Sequence, residues 1–103
     1  MQAELLWSPQ ALEDLVEIYV TIGLDSPAAA ERIYTAIEDR VAMLPSFPRM
    51  GARRPEVAPS ARMLVEGSYL LLYELHPDSD GGPVESVEIV RVIDGRRELI
   101  RFF

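Results

Sequence analysis

Few residue types in this chain could perform catalysis, and the single histidine is the first to consider. A hydrolytic triad needs a histidine held by structured neighbours. His76 instead begins the segment HPDSDGGP, whose composition is typical of a solvated turn. The chain has no cysteine and no lysine, which excludes thiolate chemistry, disulfides and Schiff-base catalysis. We therefore expect no catalytic residues and no cofactors.

The turn segment also resembles the beginning of a calcium-binding loop, at Asp78, Ser79, Asp80 and Gly81. Such a loop requires a bidentate glutamate at its twelfth position. That position is Ile89 here, and ordinary hairpin-turn chemistry accounts for the same residues. We expect no metal site.

Acidic residues cluster near the N-terminus at Glu13, Asp14 and Glu17. Paired carboxylates would need burial to acquire the shifted pKa values used in acid–base catalysis. Their spacing on a helix predicts a solvated acidic face. The alternative is a docking face for a basic partner.

All ten basic residues are arginines, and they concentrate in two segments. Residues 40–62 carry five and residues 91–103 carry four. Arginines suit phosphate contacts, but the net charge of −7 disfavours direct nucleic-acid binding. Intramolecular pairing with the seventeen acids is the alternative. Arg91 interrupts an apolar strand and is expected to share one side with Val87, Ile89 and Ile93.

Two apolar runs, Tyr69–Leu75 and Val87–Ile93, must form the centre of the fold. The first is apolar on both sides of an extended chain, as expected for a central strand. Gly67-Ser68 predicts a type II′ turn that joins it to a strand over Arg62–Glu66. With Val84–Ile93 returning alongside, these segments predict a three-stranded antiparallel meander.

Two helices precede this meander, each beginning at a Ser-Pro pair. The first is expected to end at Gly23 and the second before Pro45. Their apolar faces are predicted to be Leu12, Leu15, Val16, Tyr19 and Ile22 in the first helix, and Ala29, Ala30, Ile33, Ile37, Val41 and Leu44 in the second. The short connection predicts an antiparallel helical hairpin, preceded by a short strand within Gln2–Trp7.

The remaining segments are a proline-rich loop and a C-terminal tail. Pro45–Ser60 is expected to be ordered, with Phe47, Met50 and Val57 packed beneath it. The tail, Arg96–Phe103, is expected to form a turn of helix or a strand. The apolar side chains of both segments cover the sheet or form a groove for a partner. The fold class is α+β, in the order β-α-α-β-β-β, with the hairpin packed on an antiparallel sheet in one domain over residues 1–103.

The location of the protein is constrained by what the sequence lacks. No apolar run approaches the ~20 residues needed to span a bilayer. The N-terminus, MQAELLWSP, does not resemble a signal peptide. We expect a cytoplasmic protein.

In order and spacing, several motifs resemble the RelE/ParE superfamily of type II toxins, and its ParE branch most closely. Ser8-Pro9, Ala11, Asp14 and Leu15 resemble the opening "SPxAxxDL", followed by Ile18 and Tyr19. The remaining matches are Pro27, Ala30 and Ile37 in the second helix, Leu44, Pro48, Gly51 and Arg53 in the loop, Arg62, Tyr69 and Tyr73 in the strands, and Ile89, Arg91, Val92, Gly95, Arg96 and Arg97 at the end.

The resemblance separates two activities. RelE-like members cut messenger RNA with basic residues and a late tyrosine, whereas ParE-like members poison DNA gyrase. Here Leu70 and Phe103 stand where the nuclease branch has a basic residue and a tyrosine, so we expect no enzymatic activity. The chain also departs from the ParE pattern, because Asp94 replaces a usual histidine and Arg97-Glu98 replaces the final "RD".

The resemblance implies a toxin that inhibits DNA gyrase and forms a hetero-oligomer with a ParD-like antitoxin. Expected antitoxin contacts are Glu13, Asp14, Glu17 and Tyr19. Expected target contacts are Arg91, Arg96, Arg97, Arg101, Phe102 and Phe103. The alternatives are a RelE-like ribosome-dependent ribonuclease and a non-toxic relic that only binds antitoxin and regulates its own expression.

Overall fold

The computed structural model describes residues 2–96, which form two helices and one five-stranded sheet. The sheet has the strand order β1-β5-β4-β3-β2. The elements are β1 (Glu4–Trp7), α1 (Pro9–Asp25), α2 (Pro27–Val41), β2 (Ala52–Arg53), β3 (Arg62–Glu66), β4 (Tyr69–His76) and β5 (Ser86–Asp94). This arrangement confirms the predicted α+β class and adds the short β2, which the loop sequence did not indicate. No helix in this part of the chain has the length and apolar character needed to cross a membrane.

The predicted antiparallel meander is present as β3, β4 and β5. Gly67 has φ +61°, and no non-glycine residue in the described chain has a positive φ. A two-residue turn with only its first position at positive φ is type II′, as predicted. Buried side chains on both sides of β4, such as Leu71 and Leu72, confirm its central position.

The sheet is not antiparallel throughout, because β1 pairs with β5 in the parallel direction. The register places Glu4 opposite Ser86 and Trp7 opposite Ile89. The helical hairpin, β2, β3 and β4 all lie between these two strands in the sequence. A pairing across such a separation leaves no local turn signal, so the sequence pattern did not reveal it.

A β-bulge in β5 changes the predicted orientation of Arg91. Tyr73 pairs with Ile89 but Leu72 pairs with Arg91, so Val90 is an extra residue. Arg91 therefore lies on the same side of the sheet as Ile93 and opposite to Val87 and Ile89. Simple alternation along the strand had predicted that all four residues share one side.

Both helices begin at the predicted caps. The hydroxyl oxygens of Ser8 and Ser26 accept hydrogen bonds from the backbone N–H groups of Ala11 and Ala29. Helix α1 passes the predicted stop at Gly23 and ends at Asp25, because Ser26 caps the next helix immediately.

The buried face of α1 differs from the predicted one. Ala11 and Leu15 are buried, with Ile18 and Ile22 packed against the core, whereas Leu12 and Val16 are exposed. Because Ala11 belongs to the buried face of α1, that face is rotated away from Leu12 and Val16. In α2 the predicted face is confirmed, with Ala30, Ile37 and Val41 buried in the helix and Leu44 buried beyond it.

The proline-rich loop is ordered, but two of the three apolar residues expected beneath it are exposed. Phe47 is 61% and Met50 36% exposed, whereas Val57 is half-buried. The buried hydroxyl of Tyr73 donates to the Pro48 carbonyl at 2.9 Å and accepts from the Gly51 N–H at 2.9 Å. Arg62 donates to the Gly51 carbonyl at 3.0 Å. Polar groups of the sheet therefore hold the loop.

Candidate interaction groove

A groove of about 550 Å³ lies between α1, the beginning of α2 and the end of β5. Apolar side chains in its wall include Ile18, Ile22, Val92 and Ile93. Its charged lining residues are Asp14, Glu17, Asp25, Arg91, Asp94 and Arg96. The groove thus brings together residues that the sequence analysis had assigned to two separate sites, one for the antitoxin and one for the target.

Asp14 and Arg91 form a two-point ion pair at the groove. The Arg91 Nε donates to Asp14 Oδ2 at 2.7 Å, and its Nη2 donates to Oδ1 at 3.0 Å. Asp14 Oδ2 also accepts the Val92 N–H at 3.0 Å, and its side chain is only 13% exposed. This carboxylate therefore holds α1 against the end of β5, and it is not part of a solvated acidic face.

The start of α1 makes further contacts with the same part of β5. The Ser8 N–H donates to the Ile89 carbonyl at 2.9 Å, and the Ser8 hydroxyl donates to the Val90 carbonyl at 2.8 Å. Together with Asp14, Ser8 satisfies the backbone of β5 at the bulge, directly beyond the last residue pair with β1.

Asp94 occupies the position at which the resemblance led us to expect histidine, and it holds Arg96. Its Oδ1 accepts from the Arg96 backbone N–H at 3.0 Å and from Nε at 3.2 Å. The carboxylate raises the pKa of the Arg96 guanidinium, chiefly through this side-chain hydrogen bond. Arg96 remains 67% exposed, so its charge is presented at the mouth of the groove.

The charge of the groove is acidic once these pairs are considered. Asp14 is neutralised by Arg91 and Asp94 by Arg96. Glu17 and Asp25 have no ion-pair partner within residues 2–96. Among the described residues, a partner that enters the groove therefore meets two carboxylates that form no ion pair, beside apolar side chains.

An exposed apolar row on α1 adjoins the groove. Leu12, Val16, Val20 and Leu24, spaced four residues apart, are 48%, 62%, 54% and 82% exposed. At 100° per residue, the exposed acids Glu13 and Glu17 lie between this row and the groove. The spacing of apolar residues had predicted Leu12 and Val16 to be in the core, and Val20 and Leu24 had no predicted role.

Tyr19, the remaining predicted antitoxin contact, belongs to the helical hairpin. Its hydroxyl donates to Glu31, and its ring meets Tyr34 edge-on at 5.7 Å between centroids. The hydrogen bond to Glu31 raises the Tyr19 pKa. Tyr19 thus joins α1 to α2, while Arg97, Arg101, Phe102 and Phe103 lie outside the described residues.

The arginines of the proline-rich segment bind the β4–β5 loop. Arg53 contacts Asp80 at 2.8 Å and Asp78 at 3.1 Å, and Arg62 reaches Asp80 at 3.3 Å. Arg49 donates to the Ser79 carbonyl at 3.1 Å and the Gly82 carbonyl at 2.9 Å. These arginines therefore bind acidic and carbonyl groups of the same chain, which was the alternative to phosphate contact.

We expect Asp80→Asn to lower the stability of the fold by a small amount that depends on pH, because Asp80 attaches this loop through its charge. Hydrogen bonds from Arg53 lower the Asp80 pKa below its ordinary value of 3.8. A lowered native pKa stabilises the fold above pH 3.8, and the effect disappears as the pH falls through the native pKa. The small difference in melting temperature between parent and variant should have its full value at pH 6 and decline below pH 3.8.

Asp39→Asn provides the control for this experiment, because Asp39 is exposed and lies on α2, away from the loop. If the Asp80→Asn difference persists unchanged to pH 2.5, the charge of Asp80 does not attach the loop.

Comparison with known proteins places the chain in a family. The family model described as "ParE toxin of type II toxin-antitoxin system, parDE" matches residues 5–99. A solved structure titled "Chromosomal ParDE TA system from P. aeruginosa" is similar in fold, with a TM-score of 0.70 and 24% identity. The alignment covers 90% of this chain and 96% of that one. No curated protein matches. Because the family match spans nearly the whole sequence, the chain belongs to the ParE toxins of type II toxin–antitoxin systems.

Proposed function

We propose that this ParE-type toxin inhibits DNA gyrase by binding it, and that a ParD-like antitoxin neutralises the toxin by docking on α1. Family membership supports the toxin part of the proposal. The observation that supports the docking site is the exposed apolar row of α1, which lies beside Glu13 and Glu17, two exposed acids that form no ion pair within residues 2–96. Such a surface matches an amphipathic segment with apolar and basic side chains.

The antitoxin segment is expected to place apolar side chains against Leu12, Val16 and Val20. Burying such a row provides most of the binding free energy, at about 25 cal/mol per Å² of apolar area removed from water. Basic residues of the antitoxin then meet Glu13 and Glu17, which select the partner by charge. Asp14 contributes indirectly, because its bond to Arg91 holds α1 in place.

For the target, we propose the mouth of the groove, where Arg96 lies. Arg96 is the exposed cation there, whereas Arg91 is engaged by Asp14. The expected contacts Arg97, Arg101, Phe102 and Phe103 follow directly in the sequence. Gyrase and the antitoxin would then contact the same region around the groove. The antitoxin would prevent gyrase binding by covering that region.

We infer that inhibition involves no bond cleavage. Leu70, in the position of a basic residue of the nuclease branch, pairs with Ile93, an apolar neighbour. Neither side chain can transfer a proton or stabilise the charge that develops on a phosphate during RNA cleavage.

A supercoiling assay tests the target. Purified toxin should inhibit gyrase and trap cleaved DNA, and the antitoxin should restore activity. Induced cells should form filaments and show the DNA-damage response. Transcript cleavage on translating ribosomes would instead favour the ribonuclease alternative, and normal growth without antitoxin would favour the relic.

Charge reversal tests the antitoxin site separately. We expect Glu13→Lys/Glu17→Lys to weaken antitoxin binding at least about tenfold, since like-charge contacts at an interface cost over 1 kcal/mol. The matched control, Asp39→Lys/Glu85→Lys, reverses two exposed acids elsewhere and should leave the affinity unchanged. Isothermal titration with the ParD-like antitoxin measures both, and equal affinities for the two variants would refute the site.

A further inference from the structure

A second group of charged side chains lies on the sheet surface, away from the groove. Glu74, His76 and Glu88 each offer one donor atom, and the three atoms lie within 4.8 Å of one another. Glu74 pairs directly with Glu88 across β4 and β5, and His76 is two residues farther along β4. Their neighbours Leu75 and Val87 are buried in the core, so the three side chains share the outer face.

His76 is exposed to solvent, as expected, but it does not belong to the turn. It is the last residue of β4, and its Nε2 lies 3.1 Å from Glu88 Oε1. The direct cross-strand pairing of Glu74 with Glu88 was not visible in the sequence, because it depends on the β5 register beyond the bulge.

Two carboxylates that face each other across a sheet repel, and within residues 2–96 the basic group in contact with them is His76. Like charges at directly paired positions destabilise an antiparallel sheet. Among residues 2–96, no arginine forms an ion pair with Glu74 or Glu88. Such a costly arrangement is relieved when a cation bridges the two groups.

The donors also have the supporting contact typical of a metal site. The Ser60 hydroxyl donates to Glu74 Oε1 at 3.1 Å and so orients that carboxylate. Donor atoms around zinc lie about 3.4 Å apart in a tetrahedron with bonds near 2.1 Å. The three donor atoms lie within 4.8 Å of one another, so binding requires them to move closer by at most about 1.4 Å.

We propose that Glu74, His76 and Glu88 bind a divalent transition-metal ion, with zinc as the ion that best fits them. One imidazole nitrogen and two carboxylate oxygens suit zinc, whereas magnesium and calcium prefer oxygen ligands alone. Three protein ligands leave a fourth position open to water. The ion would join β4 to β5 at the root of the 77–85 loop.

Zinc titration of the chain without a histidine tag tests the proposal. We expect saturable 1:1 binding by calorimetry, with His76→Gln and Glu88→Gln each weakening the affinity at least about tenfold, as loss of a ligand should. Asp39→Asn carries the same charge change as Glu88→Gln and should bind zinc normally. Because His76 is the only histidine, its ring-proton NMR signals report on this site alone.

The variants His76→Gln and Glu88→Gln should fold, because each changes an exposed or half-buried side chain and Glu88→Gln also removes a repulsion. Their melting temperatures without metal verify this. Zinc should raise the melting temperature of the parent and leave that of His76→Gln nearly unchanged. Absence of 1:1 binding, unmoved His76 signals, or equal binding by His76→Gln would overturn the proposal, as would equal affinity for magnesium.

Discussion

Gly51→Ala should lower the free energy of unfolding by about 2–4 kcal/mol, since an added methyl group overpacks a filled site and disrupts its hydrogen bonds. An ideal Cβ at Gly51 would lie 2.6 Å from the Tyr73 hydroxyl oxygen, 2.7 Å from its Cε1 and 2.8 Å from the Met63 carbonyl oxygen. None of these atoms can yield easily. The carbonyl belongs to β3, and Tyr73 is completely buried with both of its hydrogen bonds made to this loop.

Gly81→Ala is the matched control for this prediction. Gly81 has no atom within 4 Å of an added Cβ, and its φ is not positive. Urea unfolding should place this variant within about 0.5 kcal/mol of the parent, as for other surface substitutions. If Gly51→Ala were equally stable, Tyr73 would not hold the loop in the position described.

Asp14→Ala should cost about 2–4 kcal/mol, because it removes a largely buried partner of an arginine and of a backbone N–H. The substitution eliminates two hydrogen bonds from Arg91 and one from Val92. This loss of stability is smaller than for a completely buried ion pair, because the Arg91 side chain is 25% exposed and solvent screens its charge.

Glu13→Ala provides the comparison within the same helix. Glu13 is exposed and adjacent in sequence, so its removal should change stability by less than about 0.5 kcal/mol. For antitoxin affinity we expect the opposite ranking. Glu13→Ala should weaken binding more than Asp14→Ala, because Glu13 contacts the antitoxin directly whereas Asp14 acts through the position of α1. Equal stability of the two variants in urea would contradict a structural role for Asp14.

Local signals in the sequence were sufficient for much of the fold. The Ser8-Pro9 and Ser26-Pro27 caps, the Gly67-Ser68 turn and the apolar run of β4 each depend on neighbouring residues, and each is confirmed. Such features arise from capping, φ preferences and alternation, which act within a few residues.

Long-range packing limited the prediction of the candidate site. The bulge at Val90 reversed the side assigned to Arg91, and the buried face of α1, which includes Ala11, is rotated away from Leu12 and Val16. The pairing of Asp14 with Arg91 spans 77 residues. No periodicity in either segment records which acid meets which arginine, so the two sets of site residues appeared unrelated.

The way in which α1 begins on β5 limits how a partner can bind this toxin. An open strand edge invites another chain to extend the sheet by backbone pairing. Ser8 and Asp14 already occupy the Val90 carbonyl and the Val92 N–H of β5, beyond its pairing with β1. At this part of the groove a partner therefore meets side chains and not these backbone groups, so recognition here depends on the partner's sequence.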